Sequence, residues 1–241
     1  MRSMYFLAVL LLSFTTTSFS QTAVGIEGGI GMSSMHFAPS TYPILYTSAS
    51  TGAIFSGKLG GLIDVPLNKH IYFQAGLSVS RRGAVRQFSY YKNDSFNEQV
   101  NQTLAIYYAD IPLSVLYKSG MQGKGRFIAG IGATFSYIIG GNNKLSDYSV
   151  FNDTLSNTNS NGEIIDGSTI HAFDLGLNMC AGYELPTGLF FKAYYTIGVN
   201  DVGIGTEIDK NRMWGISAGY FFGKSRNVNK EADDLIDKTP E

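Results

Sequence analysis

The chain contains little cysteine and proline and lacks several common catalytic and ligand-binding motifs. Its 241 residues include one cysteine, Cys180, and only six prolines. A single cysteine excludes an intramolecular disulfide, so the fold must be stable without one. The short motifs HExxH, CxxC and the P-loop do not occur, and no helix pattern follows the glycine-rich stretch at 25–31 to make it a phosphate cradle. Charged residues make up 15% of the chain and the net charge is −1, which gives no reason to expect nucleic acid as a partner.

Long hydrophobic runs are also missing after the N-terminus. The first twenty residues have the order of a secretory signal: Arg2, then the apolar segment 4–12, then the small polar residues of 15–20. We place cleavage after Ser20, so that Gln21 becomes the first residue; the alternative is a buried strand or short helix. No cysteine lies directly after the cleavage position, so a lipoprotein anchor is not indicated. Beyond it, no run of about 18 apolar residues exists that could form a spanning helix.

The chain does contain segments in which apolar residues alternate strictly with small or polar ones. The last of these segments shows the pattern best. One face of segment 212–222 carries aromatic and aliphatic residues: Trp214, Ile216, Ala218, Tyr220 and Phe222. The other face is mostly small or polar: Met213, Gly215, Ser217, Gly219 and Phe221. A sheet that is apolar outside and polar inside is reversed relative to a soluble barrel, and this favours a closed sheet in a bilayer. The 28 glycines, 15 tyrosines and 16 phenylalanines suit such a sheet.

Eight segments alternate in this way, and the connections between them alternate in length. The predicted strands are 24–35, 54–65, 70–86, 104–118, 125–140, 169–184, 189–199 and 212–222. The tight connections are 66–69, 119–124 and 185–188, and the long polar ones are 36–53, 87–103, 141–168 and 200–211. This order is typical of outer-membrane barrels, whose periplasmic turns are short and extracellular loops long. The sequence therefore predicts an all-β, eight-stranded antiparallel up-and-down transmembrane β-barrel over residues 21–223; a soluble lipocalin-like barrel is the alternative.

Charged residues fall on the predicted inner face with both signs. They are Glu27, Lys58, Asp64, Arg82, Asp110, Arg126, Asp174, Glu184 and Lys192. Buried charges need partners, and side chains can fill the bore of an eight-stranded barrel, so we expect an ion-paired plug. A narrow path for small solutes is the alternative. Pro112 lies in a predicted central strand, where it cannot donate to the ladder, and we interpret it as a bulge or kink.

Aromatic residues cluster near both predicted strand ends, as interfacial girdles do. Those near the periplasmic rim are Tyr117, Phe127, Tyr183, Phe191, Tyr220 and Phe222. Those near the outer rim are Tyr107, Tyr137 and Phe173.

Few residues of the sequence suggest a catalytic site. His171 lies near Thr169, Ser168 and Asp166 in sequence, and such a set could in principle deacylate a lipid. A polar residue at headgroup level is the better interpretation of His171, because a triad requires geometry that sequence proximity does not supply. We therefore predict no catalytic, cofactor-binding or metal-binding residues.

The polar segment 142–168 contains four carboxylates that could hold calcium: Asp147, Asp153, Glu163 and Asp166. Their spacing is not that of an EF-hand, so we predict a solvated, partly mobile surface loop. Residues 224–241 are rich in charge and poor in apolar residues, which indicates a disordered periplasmic tail.

Several stretches of the chain resemble the PorT-like outer-membrane β-barrel family. They are the glycine-rich strand Gly25–Gly31, the run Tyr107-Tyr108-Ala109-Asp110-Ile111-Pro112-Leu113, residues 127–132, residues 174–177 and the closing segment 214–222. The resemblance implies an eight-stranded barrel in the outer membrane. Most members lack an assigned activity, and one namesake is tied to protein secretion. This chain departs from many barrels because a charged tail follows Phe222, which would then act as an internal assembly signal.

Together these observations predict a structural or interaction role in the cell envelope of a Gram-negative bacterium. The expected partners are outer-membrane lipid and other envelope or surface proteins, which would contact loops 36–53, 87–103, 141–168 and 200–211. A narrow channel and a lipid-modifying enzyme are the alternatives from other functional classes.

Overall fold

A computed structural model describes most of the predicted barrel. The described residues are 22–38, 48–93, 96–120, 125–151, 154–163, 172–200 and 208–222. The predicted signal at 1–20 and the predicted tail at 224–241 lie outside these ranges. None of the described residues forms a helix of the length and apolarity that crossing a membrane requires.

The described residues form nine antiparallel strands. They are β1 (Ala23–Ala38), β2 (Ser48–Pro66), β3 (Ile71–Asn93), β4 (Phe96–Lys118), β5 (Arg126–Phe151), β6 (Thr154–Glu163), β7 (Phe173–Glu184), β8 (Leu189–Gly198) and β9 (Ile208–Phe222). Eight of them close a ring in the order β1-β2-β3-β4-β5-β7-β8-β9, because β9 pairs back onto β1. The predicted eight-stranded antiparallel barrel is thus confirmed. β6 stands outside the ring and pairs with the far end of β5.

The alternation that predicted the strands also predicted which way their side chains point. In β9, Trp214 and Ile216 are 42% and 64% exposed, whereas Met213 and Ser217 are 3% and 4% exposed. The same alternation runs through β5 and β7. The outward faces are therefore apolar in these strands.

Two of the predicted long loops are largely β-structure. β3 and β4 continue as a paired hairpin to Asn93 and Phe96, across most of the segment 87–103. β5 continues to Phe151 and returns as β6, which occupies much of the segment 141–168. The prediction of a solvated, partly mobile loop at 142–168 is therefore wrong for its β5 and β6 residues. The hydrophobic pattern misses these extensions because apolar residues do not alternate regularly with polar ones along them.

Pro112 does not form a bulge. β4 keeps one register with β3 on both sides of it, from Ala75↔Leu113 to Ser78↔Asp110. The ladder is only interrupted at the two positions between these pairs, since proline has no N–H to donate. Register shifts occur elsewhere, between Ala53 and Gly57 of β2 and after Tyr107 of β4.

The two ends of the barrel differ. At one, here called the turn end, residues 67–70 and 185–188 join neighbouring strands tightly. Gly188 adopts a φ of 91°, a left-handed conformation that favours glycine, and its N–H donates to the Leu185 carbonyl. At the opposite end, here called the hairpin end, β3, β4, β5 and β6 extend beyond the ring.

Candidate functional site: the barrel interior and its rims

The interior holds three groups of ion pairs stacked along the barrel, and the lowest surrounds Lys118. The Lys118 ammonium contacts the carboxylates of Asp64 and Glu184, the latter at 2.9 Å. Arg126 also binds Glu184 at 2.8 Å and donates to the Tyr72 hydroxyl at 2.7 Å. We call Asp64, Lys118, Arg126 and Glu184 the lower cluster. Its two cations and two carboxylates leave it without net charge.

The inward charges predicted from the sequence include the other three members of the lower cluster but not Lys118. The signal was present, because Lys118 has the same strand parity as Asp110, which was placed on the inner face. It went unused because Lys118 ends its strand, next to a turn. A lysine in that position more commonly reaches solvent.

Apolar side chains enclose the lower cluster. The buried set at this end is Ala23, Leu62, Tyr72, Leu116, Ile128, Phe190 and Phe221. The rings of Phe190 and Phe221 pack with their centroids 4.8 Å apart. Gly219 makes this packing possible, because a Cβ there would come within 2.2 Å of the Phe190 ring. Apolar and charged side chains therefore pack together inside the turn end.

The middle cluster consists of Glu27, Lys58 and Lys192. One Glu27 oxygen binds Lys58 and the other binds Lys192, each at 2.7 Å. Lys192 also donates to the Gln74 side chain at 3.3 Å, and the Lys58 ammonium lies 4.3 Å from the centre of the Tyr194 ring. With two cations and one carboxylate, this cluster carries one excess positive charge.

The upper cluster consists of Arg82, Asp110 and Asp174. Arg82 binds Asp110 at 2.7 Å and Asp174 at 3.4 Å, and its guanidinium lies 4.9 Å from the centre of the Tyr108 ring. Asn211 donates to Asp174 at 2.8 Å and to the Tyr108 hydroxyl at 3.0 Å. This cluster carries one excess negative charge, which is opposite to that of the middle cluster.

A second apolar set lies near the upper cluster, toward the hairpin end: Met35, Ala84, Leu104, Ile106 and Tyr108, with Ile138 packed against it. The sequence predicted an inner face of small and polar residues, and the two apolar sets correct that picture. In a bore this narrow, side chains can fill the interior whatever their polarity.

A cavity of about 90 Å³ separates the middle and upper clusters. Its walls include Glu27 and Lys192 from below and Arg82 from above. Among its lining residues, Ser80 Oγ, Arg82 Nε and the Tyr194 hydroxyl are buried without a hydrogen-bond partner among the described residues. Buried polar atoms of this kind are commonly satisfied by internal water, and the volume suffices for a few molecules. We call this cavity the chamber.

All nine inward charges that the sequence identified take part in these ion pairs. The predicted pairing is thus confirmed. Of the residues named as candidates for other chemistry, Asp166, Ser168, Thr169 and His171 lie outside the described residues, as does Asp153. Within the ranges that the structure covers, no three His, Cys, Asp or Glu side chains converge to hold a metal ion.

The outside of the barrel is apolar. Its most exposed large residues include Phe55, Leu59, Leu77, Phe127, Ile131 and Ile216, each 60–70% exposed. The aromatic residues that the sequence assigned to the two rims are exposed as well, from Tyr220 at 36% to Phe127 at 70%. Phe127 and Tyr183 contact each other edge to face, with centroids 5.1 Å apart, at the turn end. An apolar belt with aromatic ends is the surface that a bilayer requires.

Several solved structures are similar to this chain at low sequence identity. Neisserial surface protein A is 11% identical with a TM-score of 0.38, and the match covers 82% of this chain and 96% of that one. Ail, the attachment invasion locus protein of Yersinia pestis, is 13% identical with a TM-score of 0.38, over 83% and 98%. OprG from Pseudomonas aeruginosa is 8% identical with a TM-score of 0.32, over 83% and 97%.

Comparison by sequence gives the family. No curated protein matches this chain. The family model described as "Outer membrane protein beta-barrel domain" matches residues 19–203, which is more than three quarters of the sequence. The chain therefore belongs to the outer membrane protein beta-barrel domain family.

Proposed function

We propose that this outer-membrane protein is a non-conducting barrel with a structural or interaction role in the cell envelope. The observation that carries the proposal is the packing of side chains across the bore at two levels. Ion pairs and apolar side chains cross the bore at the turn end around Lys118, and again toward the hairpin end around Arg82 and Tyr108. A solute would have to break buried ion pairs at both levels, and breaking one by removing a partner costs about 3–5 kcal/mol.

The hairpin end supports the interaction part of the proposal. If the tight turns face the periplasm, as in other bacterial barrels, the extended strands project from the cell. β4 and β5 remain paired there up to Phe96↔Phe151, and β6 continues the sheet. The other edge of β6 pairs with no strand in the part of the chain that the structure describes. A free edge offers backbone N–H and C=O groups to an extended segment of a partner protein.

Three finer assignments belong to the same proposal. Cleavage after Ser20 would release residues 1–20 as a signal peptide, and residues 224–241 would form a disordered periplasmic tail. The run Ile111-Pro112-Leu113 supports placement among the PorT-like barrels. The long segments at the hairpin end would then be available to envelope or surface proteins.

A narrow channel for small solutes is a second candidate, and the chamber is the observation that favours it. Polar space already exists inside the bore between the middle and upper clusters. Only the lower cluster and the apolar set around it would need to rearrange to join this space to the turn end.

Conductance in planar bilayers distinguishes the two candidates. The plugged barrel predicts that the purified protein adds no steady current above that of the bare bilayer. A stable open current from the unmodified protein would support the channel instead. Lys118→Met serves as the positive comparison, since the loss of the ammonium between two carboxylates should loosen the plug and raise the frequency of brief openings.

The interaction role needs its own test. Photo-crosslinkers placed at exposed hairpin-end positions, such as Gln87 of β3 and Asn142 of β5, should capture the same protein from intact cells. A crosslinker in the turn-end segment, at Leu67, serves as the control and should not capture it. Equal capture from both ends would contradict the proposed orientation.

A further inference from the structure

Charge is distributed unequally between the inside and the outside of the barrel. Five acidic residues have side chains that the structure describes, and all five point inward: Glu27, Asp64, Asp110, Asp174 and Glu184. The charged side chains that remain on the outside of the described barrel and its rims are all cationic: Lys69, Arg81, Lys144, Lys210 and Arg212. Such a surface repels cations and attracts anions at the rims.

Two of these cations lie together on the outward face of β9. Lys210, Arg212 and Trp214 alternate along the strand, with Asn211 and Met213 buried between them. The pairing with β1 places His36 opposite Lys210 and Met32 opposite Trp214. We call His36, Lys210 and Arg212 the basic rim.

Arg212 has an unused donor. Its Nε atom is buried and has no hydrogen-bond partner among the described residues. Arg81, another outward cation, differs because its guanidinium donates to the Phe55 carbonyl on the neighbouring strand. No hydrogen bond or ion pair engages the Arg212 side chain among the described residues, and the residue is partly exposed, so its outer guanidinium nitrogens can contact an anionic group.

The basic rim lies at the depth of the lipid headgroups. Arg212 is ten residues from Phe222, the last residue of β9, which corresponds to about 25 Å along the barrel axis at a tilt near 40°. This is the height of the apolar band of an outer-membrane barrel. Trp214 lies one outward position closer to the membrane centre, where indole rings border the headgroups.

We propose that the basic rim binds the phosphate of an anionic membrane lipid whose chains pack beside Trp214 and Met32. Guanidinium groups bind phosphate oxygens bidentately, and the ammonium of Lys210 adds a second positive charge on the same face. No carboxylate among the described side chains competes on this face. The proposal deepens the proposed function, since it rests on the barrel lying in a membrane, and it names the lipid class that holds the hairpin end in place.

Trp214 provides the assay, because it is the only tryptophan in the sequence. The full-length mature protein is reconstituted into phosphatidylcholine vesicles that contain brominated phosphatidic acid or brominated phosphatidylcholine. Quenching of Trp214 then measures which lipid lies beside it. We expect phosphatidic acid to be preferred by about fivefold for each cation that contacts its phosphate.

Matched variants test whether the lipid preference depends on the basic rim. Lys210→Gln with Arg212→Gln should bring the preference close to one, whereas Lys69→Gln, an exposed cation at the turn end, should leave it unchanged. Circular dichroism of each reconstituted variant checks that the sheet is folded. An unmodified protein without preference, or a double variant that keeps it, would overturn the proposal.

A further arm separates membrane lipid from free phosphate. Millimolar inorganic phosphate added to the vesicles should not displace the lipid; if it did, the ligand would come from solution and the lipid assignment would be wrong. The vesicle membrane has the same lipids on both sides, so the outcome does not depend on which end of the barrel faces the cell exterior. Failure of the proposed orientation and failure of this site are thus observed separately.

Discussion

The lower and middle clusters use the same chemistry in different surroundings. In the lower cluster, the Lys118 side chain is 0% exposed, and the rings of Tyr72 and Phe221 lie 4.6 and 4.9 Å from its ammonium. In the middle cluster, the Lys58 side chain is 25% exposed and lines the chamber. One set of ion pairs lies among apolar side chains and the other borders a polar space. The difference shows that a pair's contribution depends on what surrounds it, since desolvation decides how costly an unpaired charge becomes.

Lys118→Met is expected to have the largest effect and tests whether the lower cluster is more strongly desolvated than the middle cluster. The change leaves Asp64 and Glu184 without the ammonium between them, in a region that apolar side chains enclose. We expect the free energy of unfolding to fall by about 3–5 kcal/mol. Urea unfolding in lipid vesicles, followed by tryptophan fluorescence, measures it. A loss below about 1 kcal/mol would place the lower cluster among solvated pairs.

Gly219→Ala tests the apolar packing around the lower cluster. The new Cβ would lie 2.2 Å from the Phe190 ring and 2.3 Å from the Ile26 carbonyl, so both the packing and the β1–β9 ladder must shift. We expect a loss of about 1–3 kcal/mol in the same unfolding assay. Gly140→Ala is the matched control, because nothing lies within 4 Å of a Cβ there. Equal effects at both glycines would show that packing at the turn end is loose.

Lys58→Met removes a lysine ammonium from the middle cluster, as Lys118→Met does from the lower cluster. Glu27 keeps Lys192 at 2.7 Å after the substitution, and water in the chamber can solvate the freed oxygen. The expected loss is about 1 kcal/mol, close to that of a partly exposed pair. If Lys58→Met cost as much as Lys118→Met, the two clusters would be equally desolvated and the comparison would fail.

The smallest effect is expected from Ser80→Ala. The Ser80 hydroxyl is buried beside the chamber without a partner among the described residues. If water fills the chamber, the hydroxyl is already satisfied there, and its removal should change stability by no more than about 0.5 kcal/mol. If the chamber were dry, removing an unsatisfied group would stabilise the protein by about 1–3 kcal/mol. The sign and size of this change therefore report whether the chamber is wet.

The sequence predicted correctly the residues of strands whose successive side chains face the bilayer and the bore in turn. Trp214 and Ile216 outside, and Asp174 and Lys192 inside, follow directly from the alternation, because a bilayer and a narrow bore impose opposite demands on successive residues. β6 and the upper parts of β3, β4 and β5 escaped prediction because that opposition ends where the strands leave the apolar band. The inward position of Lys118 was not predicted because a lysine at the end of a strand more commonly reaches solvent.

The number of strands in the closed ring, the facing of their side chains and the presence of inward charges of both signs follow from alternation and connection lengths, which are local properties of the chain. The partners within the interior do not follow from them. Lys118 meets Glu184, and Lys192 meets Glu27, only because closure of β1 on β9 and the stagger of eight strands bring distant residues to one height. Register is a property of the whole ring, so only the closed tertiary structure decides which charges pair, where the chamber lies and which cations share the rim beside Trp214.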